Sequence, residues 1–408
     1  MLLNHLLQAV IRKGSLTVID SKGRRHTASG EPGPNVIVRL NNPKLNYELF
    51  FNPHLRVGEA FMDGDLTVEN GDIYDFLELV IMNFGWGHGH WLQALIARWR
   101  LLTRRIAQYN PISTAKQNVA HHYDLSDTLY DLFLDRDRQY SCAYYENPED
   151  SLDTAQDNKK RHIAAKLLLE PSNRVLDIGS GWGGLALYLS EVSGADVTGI
   201  TLSNEQHKVS EDRASKAGSS SRVRFKLCDY RDVEGQFNRI VSVGMFEHVG
   251  VGHFREFFSK VYDLMTDDGV MLLHTIGRAD GPGSTNPWLR KYIFPGGYVP
   301  ALSEILPVIE QARLYVTDIE ILRLHYAETL KDWRSRFNKN REKIESIYDA
   351  RFCRMWEFYL AGCEANFRYG GIVVFQLQLS KALSAVPLTR DYIVDWERSH
   401  AKQTSHAA

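Results

Sequence analysis

Short apolar runs, separated by glycine- and proline-rich turns, mark the first 84 residues of the chain. Such runs are typical of strands, whereas the apolar positions after Asn70-Gly71-Asp72 recur at helical spacing. We therefore predict a small α+β domain over residues 1–84 that ends in an amphipathic helix. The predicted strands cover residues 15–20, 35–40, 46–51 and 65–69.

Residues 85–120 form a predicted linker. It begins with the glycine-rich segment 85–90, and a basic amphipathic helix with tryptophans is expected over residues 91–108. A helix of this kind can lie on an anionic membrane surface, and the same pattern also fits a helix packed on a domain. Both interpretations stay open from the sequence.

From residue 121 the pattern changes to apolar runs that alternate with helical periodicity. Alternation of this kind is typical of a doubly wound parallel sheet. The predicted catalytic domain covers residues 121–395 and leaves a C-terminal tail over residues 396–408. Its predicted parallel strands cover residues 174–178, 196–201, 223–227, 239–243 and 270–274, and the runs 315–322 and 373–378 are expected to complete the sheet as an antiparallel pair.

The first strand of this domain ends in a glycine turn that points to a nucleotide-like ligand. Gly179, Gly181 and Gly183 allow close approach of the backbone to a ligand, and Asp177 adds a carboxylate directly before the turn. A carboxylate suits an ammonium or sulfonium group better than a pyrophosphate. The second strand also lacks the acid that a dinucleotide site would need for the ribose. The sequence therefore favours S-adenosylmethionine (SAM) over NAD.

Other candidate cofactor residues follow the neighbouring strands, because ligands bind at the carboxyl ends of strands in such sheets. Thr201, Leu202 and Gln206 follow the second strand, where Thr201 and Gln206 can bind ribose hydroxyls or can merely cap the next helix. Asp229 and Tyr230 follow the third strand. Asp229 can accept from the adenine amino group or stabilise a turn, and Tyr230 can stack on the ring.

Composition limits the remaining possibilities. The net charge of −2 does not indicate a basic surface for binding nucleic acid, so no nucleic-acid partner is expected. The four cysteines have no C-x-x-C spacing, and the histidine pairs 88/90 and 121/122 have no ligand partners at a suitable spacing, so no metal is expected. No apolar run is long enough to span a bilayer, and we expect a cytoplasmic protein.

Six motifs occur in an order that resembles the cyclopropane-fatty-acyl-phospholipid synthase family. The motifs are His122-Tyr123-Asp124-Leu125-Ser126, Tyr140-Ser141-Cys142-Ala143-Tyr144, Val243-Gly244-Met245-Phe246-Glu247-His248-Val249, Leu272-Leu273-His274-Thr275-Ile276-Gly277, Phe294-Pro295-Gly296-Gly297 and His325-Tyr326-Ala327-Glu328-Thr329-Leu330. One departure is Ser180, where the family usually carries cysteine. The resemblance implies a Rossmann-like class I methyltransferase domain, and the smaller N-terminal domain resembles the sterol-carrier type of lipid-binding fold.

The resemblance also implies a reaction and a catalytic set. The reaction transfers a methylene from SAM to the double bond of an unsaturated phospholipid acyl chain. From the residues alone, Glu247 or His274 is a candidate base. The resemblance instead implies a bound bicarbonate as the base, held by Glu247, His274 and Tyr326, with Cys142 and Ile276 contributing mainly backbone groups. The Cys142 thiol is expected to be dispensable.

The expected partners are an unsaturated phospholipid, the inner face of the membrane through peripheral contact, and a second copy in a homodimer. Three alternatives remain. A related lipid C-methyltransferase would leave a methyl branch instead of a ring. A lipid- or cofactor-binding protein would keep the fold without turnover. A methyltransferase of soluble small molecules would show no dependence on vesicles.

Overall fold

The computed structural model describes residues 7–84 and 127–401. The strands are β1 (Lys13–Ile19), β2 (Arg25–Ser29), β3 (Glu31–Leu40), β4 (Leu66–Asn70), β5 (Arg174–Ile178), β6 (Asp196–Thr201), β7 (Val223–Leu227), β8 (Phe237–Val243), β9 (Met265–Arg278), β10 (Tyr315–Leu322) and β11 (Ile372–Ser380). The helices are α1 (Leu45–Phe51), α2 (Pro53–Asp63), α3 (Ile73–Phe84), α4 (Asp127–Phe133), α5 (Leu152–Leu167), α6 (Gly184–Ser193), α7 (Asn204–Lys216), α8 (Phe254–Leu264), α9 (Pro287–Tyr292), α10 (Leu302–Gln311), α11 (His325–Lys339), α12 (Arg341–Ile347), α13 (Ala350–Tyr369) and α14 (Asp391–His400).

The chain forms two compact units. The described part of the N-terminal unit comprises residues 7–84, 284–295 and 327–372, and that of the sheet unit comprises residues 127–283, 296–326 and 373–401. From the sequence, residues 284–295 and 327–372 are predicted to belong to the catalytic domain. The predicted boundaries after residues 84 and 120 touch residues that are not described, so they stay predictions.

The N-terminal unit contains a four-stranded sheet in the order β2-β1-β3-β4. The predicted α+β character is confirmed, but the strand predicted over residues 46–51 is wrong, because this segment is helix α1. Its apolar residues Leu45 and Leu49 are four positions apart and buried, which is the spacing of a helix face. The strand β2 and the helix α2 are not predicted from the sequence.

The sheet unit is built on a seven-stranded sheet in the order β10-β11-β9-β8-β5-β6-β7. The strands from β5 to β9 pair in parallel, and β10 pairs with β11 in antiparallel register, as predicted. Helices cover both faces. One apolar core includes Phe257, Val261 and Ile305, and the other includes Ile163, Leu189 and Ala214.

The order of the strands reverses next to β5. The chain continues from β5 to β6 and β7 on one side, and then returns to place β8 on the other side of β5. In open α/β sheets such a switch point leaves a crevice at the carboxyl ends of the strands, where ligands bind. The fold therefore places the ends of β5 and β8 at the expected ligand site.

Some sequence predictions concern residues 85–126 and 402–408. The basic helix over residues 91–108 and the histidines at 88, 90, 121 and 122 lie outside the described residues. At the other end, α14 runs through residue 400, so the segment predicted as a tail begins inside a helix. In the part of the chain that the structure describes, no helix is long and apolar enough to cross a membrane.

Candidate active site

A cavity opens at the carboxyl ends of the strands beside the switch point, with about 1160 Å³ of empty space that includes its solvent-facing part. Segments after β5, β6, β7 and β8 line it, together with residues 138–141. All of the predicted cofactor residues except Gly183 are in this lining, namely Asp177, Gly179, Gly181, Thr201, Leu202, Gln206, Asp229 and Tyr230. The structure thus brings the predicted cofactor set together at one site.

The three glycines of the turn have different roles. Gly179 and Gly181 line the cavity with φ angles of 86° and 55°, and a Cβ on Gly181 would meet no atom within 4 Å. The N–H of Gly179 donates to the carbonyl of Ile200 at 3.0 Å, so it is engaged within the protein. Gly183 caps α6, and a Cβ there would lie 2.6 Å from the ring of Phe225. The structure therefore explains Gly183 by packing.

Asp177 lies near the end of β5, and its side chain is almost fully buried. Burial raises the pKa of this carboxyl to about 7, against the lowering influence of the Lys159 charge. Its Oδ2 atom has no hydrogen-bond partner. A buried carboxylate oxygen without a partner is costly, so this atom suits a ligand that brings a donor.

Thr201 and Gln206 are both buried and bonded to each other. The Thr201 hydroxyl donates to Gln206 Oε1 at 2.9 Å, and Ser203 is the residue that caps α7, with its Oγ accepting from Gln206 N. Neither side chain therefore lies on a solvated face or acts as the helix cap. Because the Gln206 oxygen accepts from Thr201, its amide nitrogen is the end that can donate to a ligand.

Asp229 is held by Arg231. Both carboxylate oxygens accept from the guanidinium at 2.8 Å, and Oδ1 also accepts from the Arg231 backbone N–H at 3.0 Å. The turn role that the sequence left open is thus present, and Asp229 also lines the cavity. Tyr230 packs edge-on against Phe257, with ring centroids 5.3 Å apart.

Sequence reasoning missed several residues of the cavity wall. Residues 138–141 line it, and Ser141 lies next to Cys142 in a motif that was assigned only to catalysis. Buried Lys159 on α5 donates to Ser141 Oγ at 2.8 Å and to Gln139 Oε1 at 2.6 Å. The motif gave a signal for Ser141. Lys159 gave none, because a lysine in a charged helix is normally exposed.

Glu247 is a buried carboxyl in the 3-10 helix Phe246–His248, which begins three residues after the end of β8. Its Oε1 atom accepts from the Ile276 backbone N–H at 2.6 Å, and its Oε2 atom has no hydrogen-bond partner. Burial raises the pKa of Glu247 to about 7, although the hydrogen bond from Ile276 acts in the opposite direction. This carboxyl can therefore gain or lose a proton near neutral pH.

His274 lies on β9 opposite Val243 of β8, and it is almost fully buried. Burial lowers its pKa to about 3, so the imidazole is neutral at physiological pH. Its Nδ1 atom is 3.1 Å from the side-chain nitrogen of Gln376. Ile276 follows two positions later, so His274 and the N–H that orients Glu247 come from the same strand.

Cys142 and Tyr326 are linked through their sequence neighbours. The backbone N–H of Tyr145 donates to His325 Nδ1 at 3.0 Å, and the ring of Tyr144 stacks on His325 with a centroid distance of 4.7 Å. Cys142 is fully buried and Tyr326 nearly so. The Cys142 thiol donates to the carbonyl of Ala143 at 3.3 Å.

None of the predicted catalytic residues is part of the cavity lining, but their neighbours are. Ser141 precedes Cys142, and Met245 and His248 flank Glu247 in the wall. The Lys159 charge lowers the pKa values of both Asp177 and His274, which indicates that it lies near both groups. The predicted catalytic residues are therefore outside the lining of the predicted cofactor cavity, and Cys142 and Glu247 are within two positions of residues in that lining. In the described part of the chain, no three histidine, cysteine or acidic side chains form a metal site.

This sheet order, with a glycine turn at the switch point, defines a SAM-dependent methyltransferase of class I. Residues 111–377 match the family model described as mycolic acid cyclopropane synthetase, and the chain belongs to this family.

Curated relatives and solved structures agree with this assignment. The chain is 35% identical over 346 residues to cyclopropane-fatty-acyl-phospholipid synthase of Escherichia coli (strain K12), covering 85% of this chain and 88% of that protein. It is 35% identical over 354 residues to a probable fatty acid methyltransferase of Pseudomonas putida, covering 85% and 87%. The crystal structure of mycolic acid cyclopropane synthase CmaA1 complexed with SAH and CTAB matches with a TM-score of 0.62 at 31% identity, over 66% of this chain and 99% of that one.

Proposed function

We propose that this protein is a cyclopropane-fatty-acyl-phospholipid synthase. The alkene of an unsaturated acyl chain attacks the methyl carbon of SAM, which forms a carbon–carbon bond and breaks the bond to sulfur. Positive charge then lies on the neighbouring former alkene carbon. Loss of a proton from the transferred methyl lets its electron pair close the ring. The products are a cyclopropane, S-adenosylhomocysteine (SAH) and one proton.

The observation that carries this proposal is the buried Oε2 atom of Glu247, which has no hydrogen-bond partner. The same carboxyl bonds to the Ile276 N–H, two positions after neutral His274 on β9. A reaction through a cation needs a proton acceptor in a place without bulk water, because water would trap the cation as an alcohol. Glu247 supplies a buried carboxyl with a pKa of about 7, and the Ile276 N–H orients it. These groups suit a deprotonation step next to the cofactor cavity.

The proposed cofactor site uses the residues that line the cavity. Oδ2 of Asp177 faces the ammonium of the methionine part of SAM, and Gly181 leaves space for the ligand. Gly179 lines the cavity, and a Cβ there would lie 2.8 Å from the Met245 side chain. Gln206 donates to the ribose, while Asp229 and Tyr230 hold the adenine. Leu202 and Thr201 complete the wall. Gly183 acts through packing instead of contact.

Bicarbonate fits the same residues. When bound, bicarbonate would supply the base that accepts the methyl proton, and Glu247 would orient the bicarbonate rather than accept that proton directly. Glu247 Oε2 has no partner and can donate or accept a proton, and His274 and Tyr326 can donate to an anion. The backbone near Cys142 and Ile276 completes the proposed pocket, although the Ile276 N–H also bonds to Glu247. The buried site provides exclusion of water.

The proposed substrate requires contact with a membrane, because the acyl chains of phospholipids lie inside the bilayer. We infer a peripheral association with the inner face of the membrane of a cytoplasmic enzyme. The lipid-binding role of the N-terminal unit and the homodimer remain predictions. Sedimentation with anionic and neutral vesicles tests the first, and light scattering of the purified protein tests the second.

The experiment that tests the function combines purified protein, SAM, bicarbonate and vesicles of unsaturated phospholipid. Mass spectrometry and NMR of the released fatty acids then identify the product. We expect a gain of one CH2 together with cyclopropane ring protons. A methylene-branched alkene has the same mass, so NMR or catalytic hydrogenation must separate the two products.

Other results of this assay would favour the alternative functions. A branched product would favour a related lipid C-methyltransferase. Turnover of a soluble acceptor without vesicles would make the protein a small-molecule methyltransferase. SAM binding with no product from any acceptor would favour a lipid- or cofactor-binding protein.

A further inference from the structure

Helix α5 carries two buried lysines. Lys159 and Lys166 are seven positions apart, about two turns, and therefore lie on the same face of the helix. Their relative exposures are 0% and 1%. Buried ammonium groups need partners, so the residues opposite them are informative about the site.

Lys166 fixes the orientation of one buried amide. Its Nζ atom donates to Gln376 Oε1 on β11 at 2.8 Å, and it also pairs with Glu320 on β10. An ammonium has only protons to offer, so the atom of Gln376 that faces Lys166 must be the oxygen. The amide nitrogen of Gln376 then points away from Lys166.

The nitrogen of Gln376 faces His274, at 3.1 Å from Nδ1. An amide N–H can only donate, so Nδ1 of His274 must be the acceptor and carry no proton. A neutral imidazole has one proton, which is therefore on Nε2. The burial that keeps His274 neutral, with a pKa of about 3, agrees with this arrangement.

We propose that Lys166 and Gln376 are positioning residues that hold His274 in its Nε2–H tautomer. The imidazole then presents a donor at Nε2 to the bicarbonate that is proposed for the active site. The inference rests on the proposed function for the role of His274. In the other tautomer Nε2 would present a lone pair to an anion, and the interaction would be repulsive instead of attractive. No proton transfer through Lys166 is required.

The direct test is the protonation state of His274 in the resting full-length protein. Histidine labelled with nitrogen-15 reports which ring nitrogen carries the proton, and the signals of His274 are identified by their loss in His274→Gln. We expect a protonated Nε2 and an unprotonated Nδ1 from pH 6 to pH 8. A proton on Nδ1 in the wild-type protein would overturn the inference, whatever product the enzyme makes.

A matched pair of variants tests the function of the contact. Gln376→Glu keeps the shape but offers no N–H to His274, so a proton must move to Nδ1. Gln378→Glu is the control, because Gln378 is equally buried on β11 but bonds to the Lys166 carbonyl and to Tyr392. We expect Gln376→Glu to protonate Nδ1 and to lower kcat by about ten- to 100-fold, the loss typical when the hydrogen-bond partner of a metal-ligating histidine is removed.

The two variants also separate a positioning role from a structural one. The KM for SAM should stay unchanged in Gln376→Glu, and Gln378→Glu should keep Nδ1 unprotonated with kcat near that of the wild type. Equal losses of kcat in both variants would indicate general damage and contradict the proposal. Failure of the proposed function would appear as the absence of a cyclopropane product from the wild-type enzyme, with its His274 signals unaffected.

Discussion

Lys159 donates a hydrogen bond of 2.8 Å to the hydroxyl oxygen of Ser141, in the wall of the cavity. Because the Ser141 oxygen accepts from an ammonium, its own proton is directed elsewhere and can donate to a ligand. Lys159 thus makes Ser141 a polarised donor, which suits the carboxylate of the methionine part of SAM.

The first prediction concerns this pair. Lys159→Met and Ser141→Ala should each weaken binding of SAH by about ten- to 100-fold, because a hydrogen bond to a charged group contributes about 1.5–3 kcal/mol. Isothermal titration calorimetry measures the effect. The double variant should lose little more than either single variant, since both remove one interaction. Fully additive losses would show that Lys159 acts independently of Ser141.

The second prediction concerns the catalytic set. Glu247→Gln and His274→Ala should lower product formation by about 100-fold or more, the contribution expected of positioned acid–base groups. Neither residue lines the cavity, so binding of SAH should change by less than about twofold. His253→Ala, at a residue that lies outside the lining, is the control. Wild-type rates from both Glu247→Gln and His274→Ala would refute the assignment of the site.

Much of the sheet unit could be predicted because its strands are short segments rich in apolar and β-branched residues, with turns between them. β6, β7 and β10 have the predicted bounds, and the antiparallel pairing of the last two strands is confirmed. Segment 46–51 could not be assigned from its own residues, because two apolar positions four residues apart in a short run fit a strand as well as a helix.

The candidate site also contains residues whose location could be predicted from the sequence and contacts that could not. Asp177 lies near the end of β5 and Thr201 is the last residue of β6, so their common location follows from the direction of the strands. Lys166 and Gln376 meet across 210 positions of the chain, and no local pattern signals such a contact. Buried polar partners of this kind become visible only when the elements that carry them are packed together.

The third prediction concerns the Cys142 thiol. Its donor is satisfied by the Ala143 carbonyl, and the proposed reaction has no covalent intermediate on the enzyme. Cys142→Ala should therefore keep kcat within about threefold of the wild type, at a cost in stability from the small cavity that it leaves. Product formation and thermal unfolding measure the two effects. Loss of turnover in a folded Cys142→Ala protein would show that the thiol takes part in the reaction.

The fourth prediction concerns the pH dependence of stability. Burial raises the pKa of Glu247 from 4.5 to about 7, so folding favours its protonated form. The stabilisation is present below about pH 4.5 and is lost as the pH rises through 7. Between pH 5 and pH 8, the free energy of unfolding of the wild type should fall relative to Glu247→Gln by up to about 3 kcal/mol, at about 1.4 kcal/mol per pKa unit. Urea unfolding without ligands at both pH values measures this difference. An equal change in the free energy of unfolding of the wild type and of Glu247→Gln would contradict the prediction.

The last prediction separates two glycines of the same turn. An alanine at Gly183 would place its Cβ 2.6 Å from the Phe225 ring and 2.8 Å from Ser210, at a φ of 82°. An alanine at Gly181, with a φ of 55°, would meet no atom within 4 Å. Gly183→Ala should lower the free energy of unfolding by about 2–4 kcal/mol through steric overlap and strain, and Gly181→Ala by only about 1–2 kcal/mol through strain.

Binding of SAH should change in the opposite order, because Gly181 lines the cavity and the added methyl group would project into its open space. Calorimetric titration and urea unfolding of both variants test this. Equal changes in both quantities would mean that the two glycines share a single role.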